Sequence, residues 1–299
     1  MKLCKLKIKD KPLFNKFLRL TRHDLSVYAF ENIYIWRPLF DIYWAVVRNN
    51  LCVFLKDKIG CFLYLPPLGE KIDPQAVDGA FKIMDGVNSN KEISRIENIE
   101  KSGVSFYEDL GYKCSYKSSD YLCLRTNLAG LRGNRFKSQR AVFNYFRKHY
   151  NYEYLQFSPK YKRACLELYG LWAVERMAKT KDKIYQGMIS DSRGCLKILL
   201  RDYTHLNITG RIVKIGDRIK AFTFGFPINP DTFCILYEIA DLSVKGLAQF
   251  IFRRFCRELS GYKYINIMDD SGLENLKQVK LSYHPEKLIP AYIITRKNG

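Results

Sequence analysis

Twice along this chain, three short apolar runs set between turn residues are followed by a helix, a strand, a helix and a strand. That repeated order constrains the fold more than any other feature. In the first half the runs IYWAVV, LCVFL and CFLYL span residues 42–65, with Arg-Asn-Asn and Lys-Asp-Lys-Ile-Gly between them. Apolar runs of strand length, rich in β-branched and aromatic residues and punctuated this closely, predict an antiparallel meander. A helix over 74–84, a strand over ISRIENI, a helix over SGVSFYEDLGY ending at Gly111 and a strand over SDYLCLRT complete the half. An earlier helix starts at Lys11, where Pro12 suits a first turn.

The second half opens with apolar segments at 164–178 and 194–203 that read as helices. ITGRIVKIG, RIKAFTFGF and TFCILYEIAD then form a second meander. LSVKGLAQFIFRRFCREL reads as a helix, YKYINIM as a strand, SGLENLKQVKLSYH as a helix and LIPAYIITR as a strand. A chain of 299 residues has room for two such domains. The expected organisation is an α+β tandem duplication with an N-terminal domain over 1–130, a basic bridging helix within 131–160 and a C-terminal domain over 161–299. Each domain is expected to be a mixed, mainly antiparallel sheet flanked by helices.

Charge bears on partners. Lys plus Arg number 50 against 30 Asp plus Glu, a formal net charge of +20. Such a surplus favours polyanionic partners such as nucleic acid, anionic lipid or phosphorylated ligands, although the abundance of Lys, Ile, Tyr and Asn fits AT-rich coding sequence equally well. The excess is concentrated at 1–22 and at 132–148, where Arg132, Arg135, Lys137, Arg140, Arg147 and Lys148 occur without an acid. Positions 136, 140, 143 and 147 follow helical spacing and mix aromatic with basic residues, which suits phosphate contact with the rings turned inward and suits a solvated face over a core stripe as well. The nine Cys include no C-x-x-C pair, and His23, His149, His205 and His284 lack metal-ligand spacing, so neither a disulfide framework nor a metal site is expected. The basic N-terminus has no apolar core like that of a signal peptide, and no stretch approaches a membrane span. A cytoplasmic chain is expected, free or peripheral at the inner membrane face.

The element order resembles the GCN5-related N-acetyltransferase (GNAT) superfamily, and FYEDLGY over 106–112 resembles one of its short motifs. SVYAFENIYIW over 26–36, YLPPLG over 64–69, DYLCLRTNLAGLRGNRF, AFTFGFPINPDTFCILYEIAD and KLSYHP together resemble the DUF2156 family, which is similar to the soluble C-terminal domain of phosphatidylglycerol lysyltransferases. The resemblance implies tandem acyltransferase-like domains, the first with a degenerate phosphate loop. It implies an aminoacyl or acyl transferase using aminoacyl-tRNA or acyl-CoA as donor, tRNA as a partner, and an anionic lipid or a cell-wall precursor as acceptor. An acyl-CoA-dependent N-acetyltransferase and a non-catalytic module binding nucleic acid or anionic membrane are the alternatives. Two runs depart from the family pattern, residues 134–141 and Asn266 to Asp270.

On this resemblance the pyrophosphate of an acyl-CoA would lie at Ser243, Val244, Lys245, Gly246, Leu247 and Ala248, where the N–H groups at a helix N-terminus hold an anion. Glu238, at the end of the central strand, is the candidate base, and Asp241 beside it reads as a helix cap. Lys280 is the candidate cation at the transferred carbonyl or a tRNA phosphate, and Tyr283 the candidate general acid. Each has a plain structural reading as well: a strand charge, a solvated lysine, a packed ring. Arg135, Lys137, Arg140, Arg147 and Lys148 are the candidate anion-binding residues.

Overall fold

The computed structural model describes residues 3–297. The chain forms two compact units, neither continuous in sequence. One consists of residues up to Asp120 with Asp269–Lys277 and the segment from Leu288 onward; the other of Tyr121–Met268 with Gln278–Lys287.

In the first unit the strands run in the order Cys4–Lys5, Asp41–Val47, Asn50–Lys56, Cys61–Leu63, Ile96–Glu100 and Lys287–Thr295. All neighbours are antiparallel except Cys61–Leu63 and Ile96–Glu100. The predicted meander is present. Its first hairpin turns at Arg48 and Asn49, whose φ of 49° and 61° give the left-handed pair that a two-residue hairpin turn demands. Helix Pro74–Val87 lays Val77, Phe81 and Met84 over Phe54, Leu63, Ile96 and Ile294, all essentially inaccessible to water. At roughly 1.5–3 kcal/mol per fully buried large apolar side chain, this stripe is a principal stabiliser of the unit.

In the second unit the order is the end of strand Lys113–Leu124, then Tyr264–Asn266, Thr232–Ala240, Arg218–Asn229, Thr209–Ile215 and Glu153–Gln156. Here too one neighbouring pair is parallel, Thr232–Ala240 with Tyr264–Asn266. The two halves therefore share an architecture, as the repeated order predicts. Each unit, however, takes a strand from the other half of the chain. Leu122, Cys123 and Leu124 pair with Asn266, Ile265 and Tyr264, whereas Ala291 and Tyr292 pair with Glu100 and Ile99. Boundaries at 130 and 160 do not describe these units.

Two further differences from the sequence reading have local causes. The helix expected at 194–203 begins at Lys183, because the Asp182 side chain accepts the Ile184 and Tyr185 N–H groups at 2.8 and 3.3 Å and caps a first half too polar to show an apolar stripe. The basic helix, Lys137–His149, lies within the second unit instead of bridging. Its Phe143 and Phe146 stack on Phe250 of helix Leu247–Glu258, with ring centroids 5.7 and 4.7 Å apart.

Candidate functional site

Strand Thr232–Ala240 carries an extra residue between Ile235 and Tyr237 relative to its neighbour, a bulge that resets which side chains face which side. Beyond it the Tyr237 hydroxyl donates to the Ser192 carbonyl at 2.8 Å. Glu238, next in the chain, points to the other face, towards Cys256 and Tyr283, close enough for its charge to act on both groups. It is partly buried, and no hydrogen bond or ion pair holds its carboxyl group among the described residues. Burial alone pushes its pKa up to about 8. A carboxyl group that ionises near neutral pH can take up and return a proton during a reaction.

Tyr283 follows the last turn of helix Glu274–Leu281. Its ring lies 4.4 Å from that of Phe252, within the cluster of Phe233, Phe255, Cys256 and Ile265. Burial first, then the neighbouring Glu238, Cys256 and Cys123, hold the phenol well above its ordinary range. It therefore stays a neutral hydroxyl, suited to donating a hydrogen bond and poorly suited to releasing a proton. Lys280 is half-buried instead of solvated. Its ammonium donates to the Ile267 carbonyl, lies 5.9 Å from the centre of the Tyr121 ring and lowers the pKa of the Cys123 thiol. Burial still raises Cys123 to about 12 and Cys256 well above its usual value, so neither is a thiolate at neutral pH. Cys256 is core, as its setting in FIFRRFCREL suggests.

The structure thus brings Glu238 and Tyr283 together on one wall of the second unit, while the Lys280 ammonium sits at the Ile267 carbonyl and near the Tyr121 ring. Asp241 departs from its expected role. It accepts the Ser243 N–H at 2.9 Å in a side-chain turn and pairs with Lys220 at 2.6 Å, while the N-cap of helix Leu247–Glu258 is Gly246.

The loop expected to hold a pyrophosphate does not fit one. Gly246 has a φ of +86°, and a Cβ there would lie 2.4 Å from the Val142 carbonyl oxygen. The glycine admits helix Lys137–His149, which packs directly against this side of the loop. Leu247 is buried and Val244 and Ala248 pack on the same apolar cluster, while the Lys245 ammonium sits 4.6 Å from the centre of the Tyr145 ring. Ser243 is held by Asp241, whose carboxylate would repel an anion. At the matching helix of the first unit, Pro74–Val87, the Asp73 carboxylate accepts the Gln75 N–H at 2.7 Å and occupies the place where an anion would dock.

Of the predicted basic face, Arg135, Lys137, Arg147 and Lys148 are exposed, with Phe136, Phe143 and Phe146 turned inward as expected. Arg140 is partly used, donating to the carbonyls of Leu131 and of Gly133, the latter at 2.7 Å. His284 lies 3.3 Å from the Arg135 carbonyl oxygen and edge-on to Phe136, a packing role. In the run Asn266 to Asp270, Asp270 accepts the Gly272 N–H at 2.9 Å, so its carboxylate shapes a turn. Four arginines, Arg125, Arg132, Arg253 and Arg257, line one pocket, and of these the sequence reading had named only Arg132, within the basic excess at 132–148. The i, i+4 spacing of Arg253 and Arg257 was a further visible sign.

Residues 18–295 match the family model described as phosphatidylglycerol lysyltransferase, C-terminal. Among solved structures, a conserved protein of unknown function from Bacteroides thetaiotaomicron is 27% identical, with a TM-score of 0.87 over 99% of this chain and all of that one. L-PGS from Bacillus licheniformis is 19% identical, with a TM-score of 0.65 over 97% of this chain and 93% of that one. FemX is 11% identical, with a TM-score of 0.65 over 100% and 98%. The last two show the shared fold. No curated protein matches the sequence significantly.

Proposed function

The chain belongs to the phosphatidylglycerol lysyltransferase C-terminal family, and from that membership we propose that it moves an aminoacyl group from aminoacyl-tRNA to an amine or hydroxyl acceptor. The reaction is assigned to the unit that holds Glu238. The partly buried Glu238 carboxyl group beside the neutral Tyr283 hydroxyl carries this reading. An acceptor nitrogen or oxygen attacks the ester carbonyl, and Glu238 takes its proton. The carbon–oxygen bond to the ribose then breaks, and the same carboxyl group returns the proton to the departing ribose oxygen. The Tyr283 hydroxyl and the Lys280 ammonium stabilise the carbonyl oxygen as it gains charge.

The exposed Arg135, Lys137, Arg147 and Lys148 suit the phosphates of the tRNA donor, since neutralised phosphates dominate such affinity. An anionic lipid head group or a cell-wall precursor is the acceptor class that FemX and L-PGS suggest. No helix among the described residues is long and apolar enough to cross a membrane. The filled loop at Gly246 weighs against acyl-CoA as donor.

The test incubates the full chain with tRNA charged with a labelled amino acid and with each acceptor class. Label appearing in an acceptor supports the reading. Thermal stabilisation by acetyl-CoA and none by charged tRNA overturns it in favour of the acyl-CoA enzyme. If replacing Glu238, Lys280 and Tyr283 together leaves cellular function intact, the chain is a binding module.

A further inference from the structure

A pocket of about 700 Å³ opens beside helices Arg125–Gly130 and Leu247–Glu258. Arg125, Arg132, Arg253 and Arg257 line it with Thr126 and Asn127, and no acidic or aromatic side chain takes part. Among the described residues, none of the four guanidinium groups pairs with a carboxylate.

Two of the four are held in place. Arg253 donates to the carbonyls of Ala129 and Gly130, each at 3.0 Å, and lies over the Phe143 ring at 4.2 Å. Arg125 donates to the Tyr262 carbonyl at 3.1 Å. Arg132 and Arg257 are exposed and free to close on a ligand. Burial first, then the charges of Arg257, Arg147 and Arg140, lower the pKa of Arg253, and of these three Arg257 lines the pocket.

The pocket is separate from the Glu238 wall. Phe252 and Cys256 belong to the cluster against Tyr283, and Arg253 and Arg257 each follow by one residue, about 100° further round the helix.

We propose that this pocket binds a small, multiply charged phosphate compound of the diphosphate class. Planar guanidinium donors match phosphate oxygens in pairs, and four arginines lining one pocket without an acid favour a ligand carrying more than one negative charge. The volume suits a small molecule. The lack of an aromatic lining leaves no platform for stacked bases, which disfavours a nucleic-acid strand.

Titration calorimetry of the full chain with inorganic pyrophosphate, orthophosphate and a short single-stranded RNA tests the proposal. Saturable one-to-one binding of pyrophosphate, tighter than that of orthophosphate, is expected. Arg132→Glu with Arg257→Glu should weaken it by about tenfold or more, since each bidentate charge-assisted contact removed is worth a factor of this order. Lys58→Glu with Lys91→Glu, exposed residues of the other unit that change net charge equally, should leave it unchanged. Arg257→Gln alone should show a smaller loss and serves if the double variant does not fold. Absence of saturable pyrophosphate binding overturns the proposal, as does equal binding by the Arg132 and Arg257 variants. RNA bound more tightly than pyrophosphate through the same residues also overturns it.

Discussion

Gly246 places its α-carbon against the backbone of Val142, so that an added Cβ would lie 2.4 Å from the Val142 carbonyl oxygen. One missing methyl group lets helix Lys137–His149 lie on the start of helix Leu247–Glu258, and the resulting contact packs one side of the loop where a pyrophosphate was expected.

Gly246→Ala combines a left-handed backbone with an overlap in a packed interface. It should lower stability by about 2–4 kcal/mol, the sum of a strained φ and an overpacked contact. The urea midpoint measures the loss, and an unchanged midpoint would show that the helices separate easily.

Glu238 sets a pH dependence of stability. Its pKa rises from 4.5 to about 8 on folding, so between those values the folded chain holds more protons than the unfolded one. Stability therefore falls as pH rises from 4.5 towards 8, by up to about 1.4 kcal/mol per pH unit. Glu238→Gln should flatten that slope and be the more stable form at pH 8. Chemical denaturation of both proteins at pH 5, 6.5 and 8 checks it.

Glu238→Gln should also abolish transfer, because an amide cannot accept the acceptor's proton. Transfer by the unaltered chain should increase with pH to a plateau above about 8, as the carboxyl group ionises. A rate profile flat from pH 6 to 9 would assign the proton to another group.

Tyr283→Phe keeps the ring that rests 4.4 Å from Phe252 and deletes only the hydroxyl. Loss of one donor to the developing oxyanion should lower the transfer rate by roughly 10²-fold, with the melting temperature nearly unchanged. A large fall in melting temperature with an unchanged rate would make Tyr283 a packing residue.

Asp182→Ala removes the acceptor for the Ile184 and Tyr185 N–H groups. The cost should be about 1 kcal/mol of stability without loss of transfer. Thermal denaturation and the labelled-tRNA assay check the two halves of this statement.

The inward faces of the basic helix were legible in the sequence, since Phe136, Phe143 and Phe146 are buried as their spacing requires, whereas the burial of Glu238 was not, because a strand glutamate reads equally well as a surface charge. Asp241 was misread because a cap and a side-chain turn need the same residue type, and only the chain path at Ser243 tells them apart. Gly246 was misread because a glycine before a helix suits a phosphate and a crossing helix equally.

Local periodicity and turn chemistry determined the succession of elements in both halves, since apolar spacing and hairpin residues act over a few positions. Tertiary structure alone decided which strand neighbours which. Leu122 to Leu124 join Tyr264 to Asn266, and the final strand joins Ile96 to Glu100. Alternation along a strand states which side chains are buried and leaves the pairing edge open, because backbone hydrogen bonds are alike for every residue. The elevated pKa of Glu238 and the grouping of Arg125, Arg132, Arg253 and Arg257 likewise arise between segments far apart in the chain, once burial and proximity exist.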